Sequence, residues 1–225
     1  MGAKIISFAT QKGGSGKTTL LMLTAAAIHN RTDKKILVID SDPQRSVKDM
    51  YKYEQELYPN ARQYDVFAFN WQQPNPEVNF QKTIQLAENK YDIIFNDVPG
   101  KIHGKEVYYS ILISDIVIVP IVASSLDLSA TVDFLKTIPE VRKDKEKLGY
   151  KLDVYGVINK KDNTIEHQKL YELAGLGGME LFYSPISNKV RYKRVISTIY
   201  DVTDPNDPND EFNKYFDEFM IKCLS

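Results

Sequence analysis

The chain has few of the residues that build disulfide frameworks and metal clusters. Its 225 residues include a single cysteine, Cys223, with three histidines and one tryptophan. One cysteine cannot form a disulfide within the chain, and a zinc or iron–sulfur site held by cysteines would need ligands from a second subunit. We therefore interpret Cys223 as a small apolar side chain that fills space.

Long apolar runs and an excess of charge of one sign are also missing. No segment approaches the roughly 18 consecutive apolar residues of a transmembrane helix, and the first apolar run is too short for a signal peptide. There are 29 Lys and Arg against 30 Asp and Glu, a net charge of −1. This balance excludes a globally basic nucleic-acid coat but not a local basic patch. We expect a cytoplasmic protein that forms a single domain over residues 1–225.

Apolar strands alternate with amphipathic helices along the chain. The predicted strands are 4–9, 35–40, 64–69, 91–97, 115–121, 152–159 and 180–183, and the predicted helices are 18–30, 44–57, 76–89, 126–147, 164–174 and a C-terminal segment after 210. This alternation is typical of an α/β fold, here a three-layer, mostly parallel twisted sheet with helices on both faces. Because such sheets bind ligands at the carboxyl ends of their strands, functional residues should follow the strands.

A glycine-rich segment follows the first predicted strand and reads KGGSGKTT. The phosphate-loop pattern ends in Gly-Lys-Ser/Thr, but Gln11 stands where that pattern has its first glycine. Glycines let the backbone approach an anion, the lysine reaches the β- and γ-phosphates, and the threonine hydroxyl suits Mg²⁺. The predicted nucleotide-binding residues are Gly13, Gly14, Ser15, Gly16, Lys17, Thr18 and Thr19.

Lys12 is a second lysine, five residues before Lys17. A single phosphate loop needs only one, so the surplus lysine favours a role toward another nucleotide, across a dimer interface. The alternative is a Gly-rich turn with incidental lysines. The apolar run before the loop and the helix after it argue against that alternative.

Three other predicted strands end in polar residues. Asp40 and Asp42 follow the second strand and could hold the hydration shell of Mg²⁺ and orient an attacking water, although Asp42 with Pro43 could instead begin a helix. Asp97 ends the strand 91–97 at the position of a Walker B acid, which binds Mg²⁺. Asn159 could recognise the edge of adenine or simply form a turn.

Together these segments resemble the ParA branch of the deviant Walker A ATPases, which includes MinD. The resemblance covers nearly the whole chain and is carried by KGGSGKTT at 12–19, DSDPQ at 40–44, IIFNDVPG at 93–100, SDIVIVPI at 114–121 and VIN at 157–159. It implies a P-loop NTPase fold, ATP hydrolysis, ATP and Mg²⁺ as cofactors, and a homodimer that forms on ATP binding.

The resemblance also implies roles for individual residues. Lys12 would contact the nucleotide of the partner subunit, Lys17 and Thr18 would contact phosphate and Mg²⁺, Asp42 would position the attacking water, and Asp97 would be the Walker B acid. The chain departs from the family at Val98 and Gly100, where Asp-Thr-Pro-Pro is common.

Within this family the chain resembles the short ParA proteins, because no DNA-reading helix-turn-helix precedes the first predicted strand. The C-terminal helix carries an apolar stripe opposite a net acidic face, which favours core packing over membrane binding. The resemblance implies non-specific DNA binding in the ATP state, association with the nucleoid, and hydrolysis stimulated by a small centromere-binding, ParB-like partner. The expected role is segregation of a plasmid or another mobile DNA element.

Two alternatives remain open at this point: a MinD-like ATPase that positions a membrane or protein cargo, and a non-catalytic interaction module that depends on nucleotide. One basic segment is a candidate for DNA contact, or else a solvated helix face. It contains Lys189, Arg191, Lys193 and Arg194. Phosphate contacts of this kind would weaken with salt.

Overall fold

A parallel β-sheet lies at the centre of the computed structural model, which describes residues 2–11, 13–100, 104–122, 125–161, 170, 173–194 and 196–225. Its strands are β1 Lys4–Phe8, β2 Ile36–Asp40, β3 Asp65–Ala68, β4 Ile93–Asp97, β5 Ile116–Ile121, β6 Asp153–Ile158 and β7 Glu180–Leu181. The spatial order is β3-β2-β4-β1-β5-β6-β7, and every pair of neighbours is parallel. The strand that precedes the glycine-rich loop is therefore central.

Helices cover both faces of this sheet. They are α1 Lys17–Arg31, α2 Ser46–Leu57, α3 Pro76–Ala87, α4 Lys105–Ile113, α5 Ser125–Lys147, α6 Arg191–Arg194 and α7 Glu211–Leu224. Alternate side chains of β5 show the two faces: Ile118 packs in one apolar cluster with α1 and α7, whereas Val117 and Val119 pack in another with α4 and α5. The predicted three-layer α/β fold is confirmed.

The C-terminal helix packs into the core, as its apolar stripe predicts. Phe212, Tyr215 and Phe219 are fully buried in α7, and Cys223 is buried beside them as a free thiol. The side chain of Asp210 accepts a hydrogen bond from the Phe212 amide and caps the helix. These contacts agree with the interpretation of Cys223 as an apolar filler.

Among the described residues, the helices α4 and α6 were not predicted from the sequence. The segment of α4, KEVYYSILI, has nine residues and begins directly after Gly104. Its run of adjacent aromatic and aliphatic residues does not show the 3.6-residue period on which helix prediction depends. The predicted helix 164–174 lies mostly outside the described residues.

Candidate nucleotide-binding site

The candidate site lies where three central strands end. Asp97, at the end of β4, is in register with Phe8 on one side and with Asp40 on the other. The glycine-rich loop therefore leaves β1 beside the two acids that end β4 and β2. The parallel topology brings together residues that lie more than 80 positions apart in the chain.

The loop ends at the N-terminus of α1. Gly16, the residue before the helix, has φ 89°, and a Cβ there would collide with the side-chain amide of Asn159. Only glycine combines this left-handed backbone with such a close approach. No side chain caps α1, and no acidic residue lies in its first turn. The first N–H groups of this helix therefore form a positive end suited to an anion.

Thr18 and Asp97 are in direct contact. The Thr18 hydroxyl donates to Asp97 Oδ2 at 2.7 Å. Burial raises the pKa of Asp97 to about 7, while Lys17 and the Thr18 hydrogen bond act in the opposite direction. Lys17 itself is only 6% exposed, and it forms no hydrogen bond or ion pair with any residue that the structure describes. This ammonium interacts with the Asp97 carboxylate only electrostatically, without an ion-pair contact, and can therefore receive an anion directly.

Unpaired polar atoms gather at this edge of the sheet. Within the described ranges, eight buried side-chain oxygen or nitrogen atoms have no hydrogen-bond partner, and four of them follow β1 or end β2 and β4. These four are Gln11 Oε1, Ser15 Oγ, Asp40 Oδ1 and Asp97 Oδ1. Because buried polar atoms are nearly always paired in native proteins, the residues present fit a site that gains further partners when a ligand binds.

This arrangement suits Mg²⁺ bound together with phosphate. The part of the chain that the structure covers has no group of three or more His, Cys, Asp or Glu able to hold a metal. Mg²⁺ usually takes one or two carboxylates and completes its shell with phosphate oxygens and waters. Asp97 and Thr18 would supply the protein ligands, and Asp40 lies next to them on β2.

The two acids of the segment 40–44 have different environments. Asp40 is fully buried, and its Oδ2 accepts the Lys48 amide at 3.0 Å. Burial raises its pKa. Asp42 is half-buried and its Oδ1 accepts the Gln44 amide at 2.9 Å. Since α2 begins later, at Ser46, Asp42 forms a turn but does not cap that helix.

The end of β6 holds the glycine-rich loop from the other side. The Asn159 side-chain amide donates to the Ser15 carbonyl at 2.8 Å, and Lys160 Nζ donates to the Gly14 carbonyl. Here Asn159 contacts the loop backbone; its predicted role toward adenine remains a prediction. Lys160 was missed as a loop contact, because nothing in the sequence indicates that residues 146 positions apart meet.

A buried chain of polar side chains under the site was also missed. Ser41 Oγ donates to Asn96 Oδ1 at 2.6 Å, Asn96 Nδ2 donates to Ser7 Oγ at 3.2 Å, and the hydroxyls of Ser7 and Ser114 lie 2.7 Å apart. Asn96 points to the face opposite Asp97, because successive side chains of a strand alternate. These hydrogen bonds thus connect β1, β2 and β4 directly behind Asp40 and Asp97.

The segment after β4 lies against the glycine-rich loop. A Cβ on Gly100 would stand 3.3 Å from Lys17 Nζ and 3.5 Å from the Gly13 amide nitrogen. This is where the chain departs from the common Asp-Thr-Pro-Pro, and the close approach explains why a glycine fits. Two relevant parts of the sequence, Lys12 and residues 101–103, lie outside the described residues.

The basic segment predicted to contact DNA is partly neutralised. Lys189 Nζ lies 3.3 Å from Glu211 Oε2, and Arg191 Nη1 lies 2.6 Å from Asp210 Oδ2. Arg194 is exposed, and the side chain of Lys193 lies outside the described residues. Two of the four cations therefore hold α6 to α7.

Residues 6–200 match the family described as the CobQ/CobB/MinD/ParA nucleotide binding domain. The chain belongs to this family. The resemblance to ParA and MinD ATPases is thus confirmed over most of the sequence.

One relative aligns with part of the chain. The chain is 24% identical over 143 residues to the maintenance of carboxysome distribution protein A of Halothiobacillus neapolitanus, an alignment that covers 64% of this chain. It spans only 62% of the length of that relative.

Solved structures show the same fold with nucleotide bound. A proposed plasmid partition protein from Borrelia burgdorferi B31, solved with AMPPNP, superposes with a TM-score of 0.69 over 97% of each chain at 19% identity. Cobyrinic acid a,c-diamide synthase from Mycobacterium smegmatis was solved with an ATP analogue and magnesium. It gives a TM-score of 0.63 at 17% identity over 89% of this chain and all of that one. ATP and Mg²⁺ are thus cofactors found with this fold.

In the described part of the chain, no helix is both long and apolar enough to cross a bilayer.

Proposed function

We propose that the protein is a ParA-type ATPase that dimerises on binding ATP with Mg²⁺ and positions a cellular cargo by cycles of binding and hydrolysis. The observation that carries this proposal is the buried Lys17, which forms no hydrogen bond or ion pair with a described residue and lies next to the Thr18–Asp97 pair at the positive end of α1. The family supplies the nucleotide-binding domain, and these contacts supply a site for the phosphates.

Each residue of the site has a distinct proposed role. The backbone N–H groups of 13–19 and Lys17 would bind the phosphates. Thr18 and Asp97 would hold Mg²⁺, with Asp40 behind them through water. Bound Mg²⁺ supplies neutralisation of the charge that develops on the transferred phosphoryl group.

Asp42 is proposed to position the attacking water. It is half-buried, and its second oxygen forms no hydrogen bond with a described residue. A carboxylate of this kind can accept a hydrogen bond from the water and direct it toward phosphorus. Asn159, which holds the Ser15 carbonyl, would keep the loop in shape.

Lys12 is proposed to act in the dimer, on the nucleotide bound by the partner subunit. Lys12→Ala should lose dimerisation and the activity that depends on it while keeping nucleotide binding in the monomer. The measurement is sedimentation velocity with and without ATP, beside steady-state hydrolysis. Unchanged turnover in this variant would remove the proposed trans role.

We propose that the ATP-bound dimer binds non-specific DNA. The cargo that it positions would be a plasmid or another mobile DNA element. The support is the ParA resemblance of the whole chain and the similarity of its fold to a proposed plasmid partition protein. A small ParB-like protein would stimulate hydrolysis. The exposed Arg194 is the leading DNA contact of the basic segment, because Lys189 and Arg191 are paired.

The similarity to the carboxysome distribution protein favours a second candidate, positioning of a protein cargo. The discriminating experiment is retention on duplex DNA and on anionic vesicles, with and without ATP, across a salt series, with Lys17→Ala as control. Retention on DNA only with ATP, weakening with salt, supports the DNA proposal. Equal retention of Lys17→Ala, or retention on vesicles only, contradicts it. Stimulation of hydrolysis by purified ParB-like or cargo proteins then separates the two cargoes.

A further inference from the structure

A cavity opens at the end of the sheet opposite the nucleotide site. It has a volume of about 260 Å³ and lies where β2, β3 and β4 begin. The strand β2 runs from this cavity to Asp40, so the cavity and Asp40 lie roughly 13–16 Å apart at about 3.3 Å per residue. It therefore shares no side chain with the phosphate loop.

Four cations line this cavity together with a single carboxylate. The cations are Lys34, Lys35, Arg62 and Lys90. The carboxylate is Asp65, whose Oδ2 already accepts the Tyr91 hydroxyl at 2.8 Å. None of the four forms an ion pair with a carboxylate of the described residues. Lys35, Arg62 and Lys90 are exposed, so these cations are accessible to a ligand from solvent.

Helix ends offset only part of this charge. The C-termini of α1 and α3 lie close by, at Arg31 and Ala87, and each carries about half a negative charge. They offset about one of the four positive charges, and Asp65 offsets a second. Asp92, whose carboxylate accepts the Lys35 amide at 2.7 Å behind the lining, reduces the excess again. The cavity still carries a net positive charge.

The surroundings of the cavity change the pKa of the histidine in its lining. His29, on the last turn of α1, is buried, and burial together with the nearby Arg62 lowers its pKa. The side-chain amide of Gln63 is already engaged, since it donates to Thr198 Oγ1 at 2.8 Å and to the Tyr51 carbonyl at 3.5 Å. The lining thus offers guanidinium and ammonium donors around one concave space, the usual chemistry of phosphate recognition.

We propose that this cavity binds a small phosphate-bearing anion, at a site distinct from the nucleotide site. The volume lies just under the 300–1,000 Å³ of pockets for drug-sized ligands, which fits a phosphate or diphosphate group better than a complete nucleotide. An anion bound there touches the last turn of α1 and the start of β2, whose other ends carry Lys17 and Asp40. The proposal does not depend on the ATPase function.

The test is titration of inorganic pyrophosphate by isothermal calorimetry into Lys17→Ala, a background that removes the main cation of the phosphate loop. The double variant Arg62→Ala/Lys90→Ala in that background should bind pyrophosphate roughly tenfold or more weakly, because two charge-assisted contacts are lost. The matched control is Lys214→Ala, an exposed lysine on α7, which should leave the affinity unchanged. Thermal midpoints of all variants report whether they are folded.

Three results would overturn the proposal. The first is a pyrophosphate affinity that Arg62→Ala/Lys90→Ala leaves unchanged. The second is pyrophosphate binding that Lys17→Ala alone abolishes, because the anion would then bind in the phosphate loop. The third comes from a parallel titration with a short DNA duplex: a loss of duplex binding on Arg62→Ala/Lys90→Ala without any pyrophosphate binding makes the cluster a nucleic-acid surface. Loss of ATP hydrolysis affects none of these readouts.

Discussion

The partly buried Glu211 and the buried Asp97 have different sets of partners. Glu211 on α7 accepts hydrogen bonds from the hydroxyls of Ser187 and Tyr192 at 2.7 and 2.8 Å and pairs with Lys189. Although burial alone raises its pKa, these contacts hold the pKa of Glu211 below its ordinary value. Among the described residues, the Asp97 side chain has one hydrogen bond, from the Thr18 hydroxyl, and burial raises its pKa to about 7.

This difference shows where the protein itself supplies the partners of its polar and charged groups. Around Glu211 the protein supplies every partner, so the charges there hold elements together. Around Asp97 and Lys17 the protein leaves buried polar atoms without partners, a cost that a native fold bears where a ligand compensates it. Substitutions in the two regions test this contrast between Glu211 and the pair Asp97 and Lys17.

Lys17→Ala should have the largest effect. Loss of the ammonium from the phosphate site should reduce ATP hydrolysis by roughly 10³-fold, whereas the thermal midpoint without nucleotide should change little, because Lys17 forms no hydrogen bond or ion pair with a described residue and interacts with Asp97 only electrostatically. Steady-state hydrolysis and thermal denaturation measure both quantities. Wild-type turnover in this variant would contradict the proposed site, and Lys214→Ala serves as the control.

Asp42→Ala should slow hydrolysis by roughly 10²-fold while nucleotide binding persists, since the loss of a water-positioning base affects the chemical step. Asp42→Asn is the matched variant, because its side-chain oxygen can still accept the Gln44 amide and keep the turn. If Asp42→Asn hydrolyses ATP at the wild-type rate, the carboxylate has only a structural role. Single-turnover hydrolysis with separate nucleotide-binding measurements distinguishes these outcomes.

Asp97→Asn should stabilise the protein in the absence of nucleotide while it weakens Mg²⁺-dependent activity. The folded-state pKa of Asp97 is raised above its unfolded value, so its carboxylate begins to destabilise the fold as pH rises above about 4, and the effect is complete above about 7. The variant should gain up to about 4 kcal/mol in unfolding free energy at pH 8 and almost nothing at pH 4, because the pKa shift of about three units corresponds to about 1.4 kcal/mol per unit. Urea denaturation at the two pH values measures this, and a gain that does not depend on pH would contradict the explanation.

Asn96→Ala should destabilise the fold by about 1–2 kcal/mol, because Ser41 and Ser7 lose a buried partner. The control is Asn206→Ala, in an exposed loop, which should change the unfolding free energy by less than about 0.5 kcal/mol. Equal effects of the two substitutions would show that the buried polar chain contributes nothing. Urea denaturation provides the comparison.

Arg191→Met should have the smallest effect, a loss of under about 1 kcal/mol in stability, since its pair with Asp210 is partly exposed to solvent. Its effect on DNA retention should be smaller than that of Arg194→Met, which removes an exposed cation. The slope of log affinity against log salt should decrease by about one for Arg194→Met and hardly at all for Arg191→Met. The reverse order would show that the ion pair opens on DNA.

Sequence analysis found the phosphate loop and the acids because each is a local pattern: glycines before a helix, or a carboxylate after an apolar strand. It placed most strands and helices within a few residues. It missed α4, whose nine residues show no clear period. It also missed Lys160 and Asn96, because their contacts join residues 146 and 89 positions apart.

The family and the α/β alternation are predictable from the sequence, since they depend on short segments and on their order, and the same segments supply the residues proposed to bind a nucleotide. Which charges form ion pairs depends on the tertiary structure. Lys17 and Lys189 are both lysines within predicted functional segments, yet Lys17 is buried without an ion pair to a described residue and Lys189 is paired with Glu211. The physical reason is that pairing depends on the few ångströms between side chains from distant elements, and strand order and helix packing set that distance.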